Sequence, residues 1–353
     1  QYAIHKEKHM RTFRTAVAGT AIAALALVGC SSPATPETPG SPSTQPTETA
    51  GTPAATGSTV ADTIYGPIEI PAPDDGELTV VALGWSDAEV ALSLGVVPVG
   101  VSDWLGFGTD NKGVGPWAVG EFGDVTPAVY ELPYNGYDYE AIASLNPDVI
   151  LNTRSAADED VFNRLSEIAP TVYAPKDTAD FGTAWDVQVN QVAQALGAED
   201  EAQAVIESVG AVIAEQAAGH PEFAGVKAVT GTKFGDQYGA YIAGDFRWDL
   251  MESLGFVQNP PVLDVTPSGF YAALSAEQIT GLDAEVAVFF PIGYTQAEME
   301  ADPLLASLNV VKDNRVVWLE ATDELTQAFS AASPLSIPIA AKGITERLAG
   351  ILA

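Results

Sequence analysis

The pattern of apolar and polar residues predicts one long, uninterrupted helix near the middle of the chain, over Glu199–Gly219. Its apolar side chains follow the i, i+1, i+4, i+7, i+8 spacing that forms a stripe on one helical face: Val205, Ile206, Val209, Val212 and Ile213. Acidic residues at its start suit the positive end of the helix dipole, and Gly219 followed by Pro221 is a helix stop. We expect this helix to connect two lobes; an ordinary surface helix within one domain is the alternative.

Short β-rich runs alternate with helical patterns on both sides of this helix. The first of them predict a strand over 78–83, a helix over 87–94 and a strand over 96–101. After the long helix, further strands are predicted over 227–232 and 285–290. Such alternation is typical of α/β proteins. We therefore expect two α/β lobes, each with a central sheet, and a ligand cleft between them.

The two halves of the chain contain a short internal repeat. Residues 140–150 (EAIASLNPDVI) and 277–287 (EQITGLDAEVA) carry matching residue types at five positions with the same spacing. Chance similarity between two helix-to-strand turns is the alternative. The repeat supports an N-terminal lobe over 64–198, the connecting helix over 199–219 and a C-terminal lobe over 220–353.

Residues 1–29 have the pattern of a secretory signal peptide, in which basic residues precede an apolar run, over 16–28, that is too short to span a bilayer. Met10 is one candidate for the start of translation. The run ends in LVGC, residues 27–30, which resembles the bacterial lipobox, where a diacylglycerol is attached to the cysteine and the signal is cleaved before it. We therefore expect Cys30 to carry a lipid anchor.

The segment 30–63 consists mainly of Ser, Thr, Pro, Gly and Ala. It has too few large apolar side chains to form a core, so we expect a disordered tether before a folded part that begins near Tyr65. No second hydrophobic span follows in the sequence. This predicts a protein held on the outer face of the bacterial cytoplasmic membrane by lipid alone.

The composition excludes several kinds of site. The 353 residues carry a net charge of −32, which disfavours nucleic acid and anionic lipid as partners. Cys30 is the only cysteine and His220 the only histidine after it, so an intrachain disulfide and a Cys/His zinc cluster are excluded. A Ser-His-Asp triad would need its histidine from a helix-ending turn. No spacing among the acidic residues marks a hydrolase site, and we expect a binding protein without enzymatic activity.

Candidate ligand-binding residues follow from the rule that ligands of open α/β sheets bind beyond the carboxyl ends of the strands. The rule selects side chains in both predicted lobes: Trp85, Ser86, Trp104, Arg154, Lys233, Phe234, Arg247 and Tyr294. Because cations are scarce, Arg154 and Arg247 are candidates for contact with an anionic ligand, and the alternative for each is an exposed ion pair. The segment 102–139 is rich in aromatic residues, which either cover a core or line a recess.

The motifs, taken in order, resemble the iron-siderophore branch of the bacterial ABC-transporter substrate-binding proteins. They include VALGW over 81–85, EAIASLNPDVIL over 140–151, VKDNRV over 311–316 and SPLS over 333–336, and the resemblance covers about 78–353. This class, which also includes cobalamin and haem binders, has two lobes joined by a single helix. The resemblance implies capture of a ferric siderophore and its delivery to an ABC permease, with haem or corrinoid capture as the alternative.

By the same resemblance, Trp85, Trp117 and Tyr271 line the ligand cleft. Ferric hydroxamate binders often carry an arginine six residues before the helix glutamate, and here Tyr134 occupies that position. Arg154 would then supply the charge, or the ligand would need less of it. Hydroxamate, catecholate and mixed chelates therefore all stay open.

The resemblance also concerns partners. Glu140 and Glu277 match the glutamates that, in this class, pair with arginines of the two permease subunits; helix capping is their alternative role. We expect no direct metal site, because zinc and manganese sites favour imidazole and a single histidine follows Cys30. We also expect no cofactor besides the bound chelate, and a monomer.

Overall fold

Two large β-sheets, one small two-stranded sheet and one long connecting helix form the architecture over the residues that the computed structural model describes, which are 58–74, 76–131 and 136–353. Both large sheets and the helix belong to a single structural unit. The predicted signal peptide over 1–29, Cys30 and most of the predicted tether lie outside the described residues.

Regular structure begins earlier than the sequence predicts. Strands β1 (Thr59–Thr63) and β2 (Gly66–Ile70) form an antiparallel hairpin. The hairpin is attached to the N-terminal lobe, because Thr59 Oγ1 donates a hydrogen bond of 2.8 Å to the backbone carbonyl of Ala195. The tether boundary predicted at Thr63 is therefore wrong: small residues here pair with a neighbouring strand, which local composition does not reveal.

A five-stranded parallel sheet forms the centre of the N-terminal lobe. In the spatial order β5-β4-β3-β6-β7, its strands are β3 (Val80–Ala82), β4 (Gly100–Asp103), β5 (Ala128–Glu131), β6 (Val149–Asn152) and β7 (Thr171–Tyr173). The central strands β3 and β6 are buried and mostly apolar, as expected for parallel strands covered on both faces. β4 begins at Gly100 rather than at Val96, and Pro98, which lacks an N–H, lies in the segment that stays outside the ladder.

Helices cover both faces of this sheet. They are α1 (Asp87–Ser93), α2 (Tyr139–Ala143), α3 (Glu159–Ser166) and α4 (Trp185–Leu196). Apolar residues of α1 and α4 pack with Val80 and Val149 in one core, whereas those of α2 and α3 pack with Val81 and Ile150 in another. Successive strand residues point to opposite faces, which explains why neighbours in sequence belong to different cores.

The predicted long helix is confirmed as α5 (Glu199–Gly219). Its first half packs on the N-terminal core through Val205 and Ile206, and its second half contributes Val209 and Ile213 to the C-terminal core. One continuous helix therefore joins the two cores. Any large rotation between them has to bend or displace this helix.

The C-terminal lobe contains a mixed sheet. Its strands are β8 (Lys227–Phe234), β9 (Gln237–Tyr241), β10 (Val257–Gln258), β11 (Tyr271–Leu274), β12 (Val286–Ile292) and β13 (Val316–Trp318). The spatial order is β11-β9-β8-β12-β13, with β10 paired to the start of β8. β8, β12 and β13 are parallel, while the β8–β9 hairpin and β11 add antiparallel strands at one edge.

The helices of this lobe are α6 (Phe246–Ser253), α7 (Pro260–Leu263), α8 (Gln296–Glu300), α9 (Asn309–Lys312), α10 (Glu324–Ala331) and α11 (Ile337–Leu352). α11 packs against both α5 and α10. Both copies of the internal repeat lead into a central strand: α2 precedes β6, and the 3-10 helix Ala276–Leu282 precedes β12. Within the described ranges, no helix has both the length and the apolar character needed to cross a bilayer.

Candidate ligand-binding cleft

Side chains that follow strands β3, β4 and β6 come together at one edge of the N-terminal sheet. Trp85, Trp104 and Arg154 meet there because parallel strands end at the same edge. Together with Tyr173 and Phe181 they line a cavity of about 530 Å³, which we call the N-lobe cavity.

A second cavity lies between the lobes and has a volume of about 540 Å³. The N-terminal lobe contributes Trp85 and Trp104 to this interlobe cavity, and the C-terminal lobe contributes Tyr241, Arg247 and Phe290. Because the two tryptophans border both cavities, the cavities are neighbouring parts of one cleft. The cleft expected between the lobes is thus present.

The two tryptophan rings form a stacked pair. Their centroids are 4.5 Å apart and their planes differ by 12°, and Phe181 packs on Trp85 at 4.3 Å. The result is a broad aromatic wall where the two cavities meet. Such a surface provides large apolar contact area to a ligand at little cost in side-chain entropy.

Arg154 is a buried cation beside this wall, with only 4% of its surface exposed. Its Nε donates to the carbonyl of Phe181 at 3.3 Å, and its Nη1 donates to the carbonyl of Ala331, in the other lobe, at 3.1 Å. Burial lowers the pKa of the guanidinium to about 10, so it stays charged at neutral pH. Among the ion pairs of the described residues none includes Arg154.

Arg247, in contrast, is neutralised within its own lobe. Asp245 accepts hydrogen bonds from Arg247 Nε at 2.7 Å and from Nη2 at 2.6 Å. The guanidinium also lies 3.8 Å from the centroid of the Tyr241 ring. Burial alone would lower the pKa of Arg247, but the negative charge of Asp245 outweighs it and raises the pKa.

Two buried carboxylates in the first turn of α1 position these residues. Asp87 accepts from the backbone N–H groups of Gly84 at 3.1 Å and Thr153 at 2.8 Å, and also from the Thr153 hydroxyl and the Gln188 amide. It therefore holds the loop that carries Trp85 against the loop that carries Arg154. Burial raises the pKa of Asp87, and its hydrogen bonds oppose that rise.

Glu89 connects the two lobes. It accepts from Gly115 N at 3.0 Å, from Trp117 Nε1 at 2.7 Å, and from the hydroxyl of Ser333, which is 244 residues away in the C-terminal lobe. Burial raises the pKa of Glu89. Sequence reasoning missed both acids; the available signal was an acidic pair on a short helix whose other residues are mostly apolar.

Neutral polar groups complete the N-lobe cavity. Asn152 and Tyr173, the last residues of β6 and β7, both line it, and the Tyr173 hydroxyl has no hydrogen-bond partner among the described residues. Burial raises the pKa of Tyr173, so this hydroxyl keeps its proton. The strand-end rule was applied to residues that follow a strand, such as Trp85 and Arg154. Asn152 and Tyr173 are themselves the last residues of their strands, so they were not selected.

Three other predicted site residues, Tyr271, Trp117 and Tyr294, line neither the N-lobe cavity nor the interlobe cavity. Tyr271 lines a separate cavity of about 260 Å³ together with Phe234 and Tyr241. Trp117 and Tyr294 line none of these three cavities, since the Trp117 indole bonds Glu89 and the Tyr294 hydroxyl donates to the carbonyl of Gly235 at 2.6 Å.

Of the remaining candidates, Ser86 and Lys233 make internal contacts. Ser86 Oγ donates to the carbonyl of Ala331 at 2.7 Å, which adds a third hydrogen bond between the lobes to those of Arg154 and Glu89. Lys233 forms an ion pair of 2.6 Å with Asp302. Tyr134 lies outside the described residues.

The two glutamates expected to contact a permease are both exposed. Glu140 lies in α2, whose N-cap is provided by the Asp138 side chain, and Glu277 lies in the 3-10 helix that Ser275 caps. Neither glutamate is therefore needed as the side-chain cap. No cluster of three or more His, Cys, Asp or Glu side chains suited to a metal ion occurs in the described part of the chain.

A known protein family matches the part of the chain that contains both lobes. The family model described as "Periplasmic binding protein" matches residues 80–322, which include both large sheets and the connecting helix. The chain belongs to the periplasmic binding protein family. No curated protein sequence matches it significantly.

Solved structures of this family share the fold. A periplasmic solute binding protein from Mycobacterium smegmatis is 30% identical, with a TM-score of 0.72 over 84% of this chain and 99% of that one. The iron-uptake substrate-binding protein PiaA of Streptococcus pneumoniae, in complex with ferrichrome, is 26% identical, with a TM-score of 0.70 over 83% and 98%. SirA of Staphylococcus aureus, complexed with staphyloferrin B, is 24% identical, with a TM-score of 0.65 over 82% and 98%, and supports the fold.

Proposed function

We propose that this protein is an extracytoplasmic, lipid-anchored substrate-binding protein that captures a ferric siderophore and delivers it to an ABC permease. The observation that carries the proposal is the cleft, in which the Trp85–Trp104 stack and the buried cation Arg154 lie between two lobes. Rings contact the organic part of a chelate, and a buried guanidinium donates to its iron-binding oxygens.

Similarity to solute-binding proteins supports this proposal. PiaA, which binds ferrichrome, aligns over most of this chain and so includes both lobes that form the cleft. Its ligand is an iron chelate rather than a bare ion. A chelate also suits the cavities here, since their combined space exceeds what a metal ion requires.

The proposed membrane attachment rests on the sequence, and the proposed delivery of the siderophore to a permease rests on two exposed glutamates. The lipobox-like segment that ends in Cys30 supports a lipid anchor. Exposure of Glu140 and Glu277, one in each lobe, supports a role in contact with the two subunits of a permease dimer. No observation favours haem or corrinoid capture; His220, the only described histidine, bonds Glu222 at the end of α5 and lines none of the three cavities.

The test is a titration of tryptophan fluorescence with ferric and iron-free siderophores. Ferric chelates should quench the emission of the purified protein, whereas the iron-free ligands should quench it much less. The double change Trp85→Leu with Trp104→Leu should weaken binding, while Trp318→Phe, outside the three cavities, serves as the matched control. If no ferric chelate quenched the wild-type protein, the proposed function would be wrong.

A further inference from the structure

The charges that line the cleft nearly cancel. Four charged side chains line the N-lobe and interlobe cavities within the described residues: Arg154, Arg247, Asp103 and Asp158. Arg247 is already paired with Asp245, which is buried beside it. Counting Asp245, two cations face three anions among the described residues.

Only one of these two cations, Arg154, has no carboxylate partner among the described residues. A guanidinium has five N–H donors, and Arg154 uses two of them on the carbonyls of Phe181 and Ala331. The others remain for oxygen atoms of a ligand in the N-lobe cavity. Asp103 cannot offset a ligand's negative charge; it accepts from the backbone N–H groups of Phe107 at 2.8 Å and Gly108 at 2.7 Å.

The remaining polar lining is neutral. The Tyr173 hydroxyl has no partner among the described residues, and the Tyr137 hydroxyl donates to Asn152 Oδ1 over a long 3.3 Å. Burial raises the pKa of Tyr137 to about 12, so both phenols keep their protons. Neutral O–H groups and one guanidinium suit a ligand that presents oxygen acceptors without a large net charge.

Ferric siderophores differ in charge according to their iron-binding groups. Three hydroxamate groups, each a monoanion, neutralise Fe³⁺, so the complex is neutral, or singly cationic when the ligand carries a free amine. Three catecholates, each a dianion, leave a net charge of −3. A buried charge without compensation is costly, and the −32 charge of the whole chain adds long-range repulsion.

We infer that the cleft selects ferric trihydroxamate chelates, neutral or singly cationic, and rejects trianionic tris-catecholate chelates. This inference rests on the proposed function, since it names the class of siderophore that the same cleft takes. Arg154 contacts the hydroxamate oxygens, and the Trp85–Trp104 wall contacts the organic backbone of the chelate.

The experiment compares ferrichrome (neutral), ferrioxamine B (singly cationic as its ferric complex) and a ferric tris-catecholate (−3) by fluorescence titration of one protein preparation. The two hydroxamates should bind at least about 100-fold more tightly than the tris-catecholate, the difference expected for about 2.8 kcal/mol. Equal or tighter binding of the tris-catecholate would overturn the selectivity and leave the proposed function intact. If none of the three bound, the selectivity would be wrong, and the titration with the wider set of ferric chelates would decide the proposed function separately.

Changes in ionic strength and an added positive charge provide a second test of this charge selectivity. Because the tris-catecholate is repelled, raising ionic strength should strengthen its weak binding and leave ferrichrome binding unchanged. Ala156→Arg adds a cation to the N-lobe cavity lining, whereas Ala157→Arg adds it at an exposed neighbour that does not line it. The first should improve tris-catecholate binding about tenfold more than the second. Equal effects of the two variants would contradict the charge argument.

Discussion

Arg154→Ala should weaken ferric-siderophore binding more than any other loss of a cation from this protein. In the folded protein, Arg154 bonds the carbonyls of Phe181 and Ala331 and lies 5.8 Å from the Trp85 ring centroid. After the change, the Ala331 carbonyl keeps the Ser86 hydroxyl as a partner. The Phe181 carbonyl loses its side-chain partner, which costs about 1–3 kcal/mol of unfolding free energy.

The effect on affinity follows from the lost contact with the chelate. A hydrogen bond from a charged donor contributes about 1.5–3 kcal/mol, so the Kd should rise about 10- to 150-fold. Arg154→Lys keeps the charge but loses the planar arrangement of N–H donors, so its effect should be smaller than that of alanine.

The assay pairs a fluorescence titration with urea unfolding of each variant. Arg315→Ala is the control, because Arg315 is partly exposed, pairs with Asp313 and lines none of the three cavities. Should the alanine variant fail to fold, Arg154→Lys provides the same comparison. A folded Arg154→Ala protein with a Kd within twofold of wild type would refute the role given to this residue.

Three further predictions concern the anchor, the permease and pH. Cys30→Ala should release a folded protein into the medium, measured by cell fractionation; retention on salt-washed membranes would contradict the lipid anchor. Glu140→Ala combined with Glu277→Ala should keep siderophore affinity but abolish uptake of iron-55 siderophore by cells, and normal uptake would exclude them as permease contacts. Because burial raises the pKa of Glu89 above its ordinary 4.5, the folded state holds this proton more tightly, and stability falls as pH rises above that value. Glu89→Gln should therefore reduce the loss of Tm with rising pH. An unchanged dependence of Tm on pH in this variant would contradict the role given to Glu89.

Several features of this protein could be predicted from local patterns. The helix α5 follows from an apolar stripe and end signals within a single segment, so its bounds were predicted correctly. The positions of Trp85, Trp104 and Arg154 at one cleft follow from a general rule about parallel strands. Both inferences need only local sequence and one geometric regularity.

Other features depend on contacts that no local pattern specifies. The hairpin at Thr59 is placed by its partner strand and by Ala195, far along the chain. Equally, composition alone treats Arg154 and Arg247 alike, but folding places Asp245 against one guanidinium and only carbonyls against the other. The roles of Trp117, Tyr271 and Tyr294 in ligand binding stay predictions.

The sequence by itself determined the bounds of the connecting helix α5 and the placement of Trp85, Trp104 and Arg154 after central strands, because periodicity and strand direction are local properties. Only the tertiary structure decided the electrostatics of the cleft. Glu89 meets Ser333 across 244 residues, and Arg154 reaches Ala331 across 177. The charge that a ligand meets depends on which groups are buried together, and burial is a property of the packed lobes rather than of any segment.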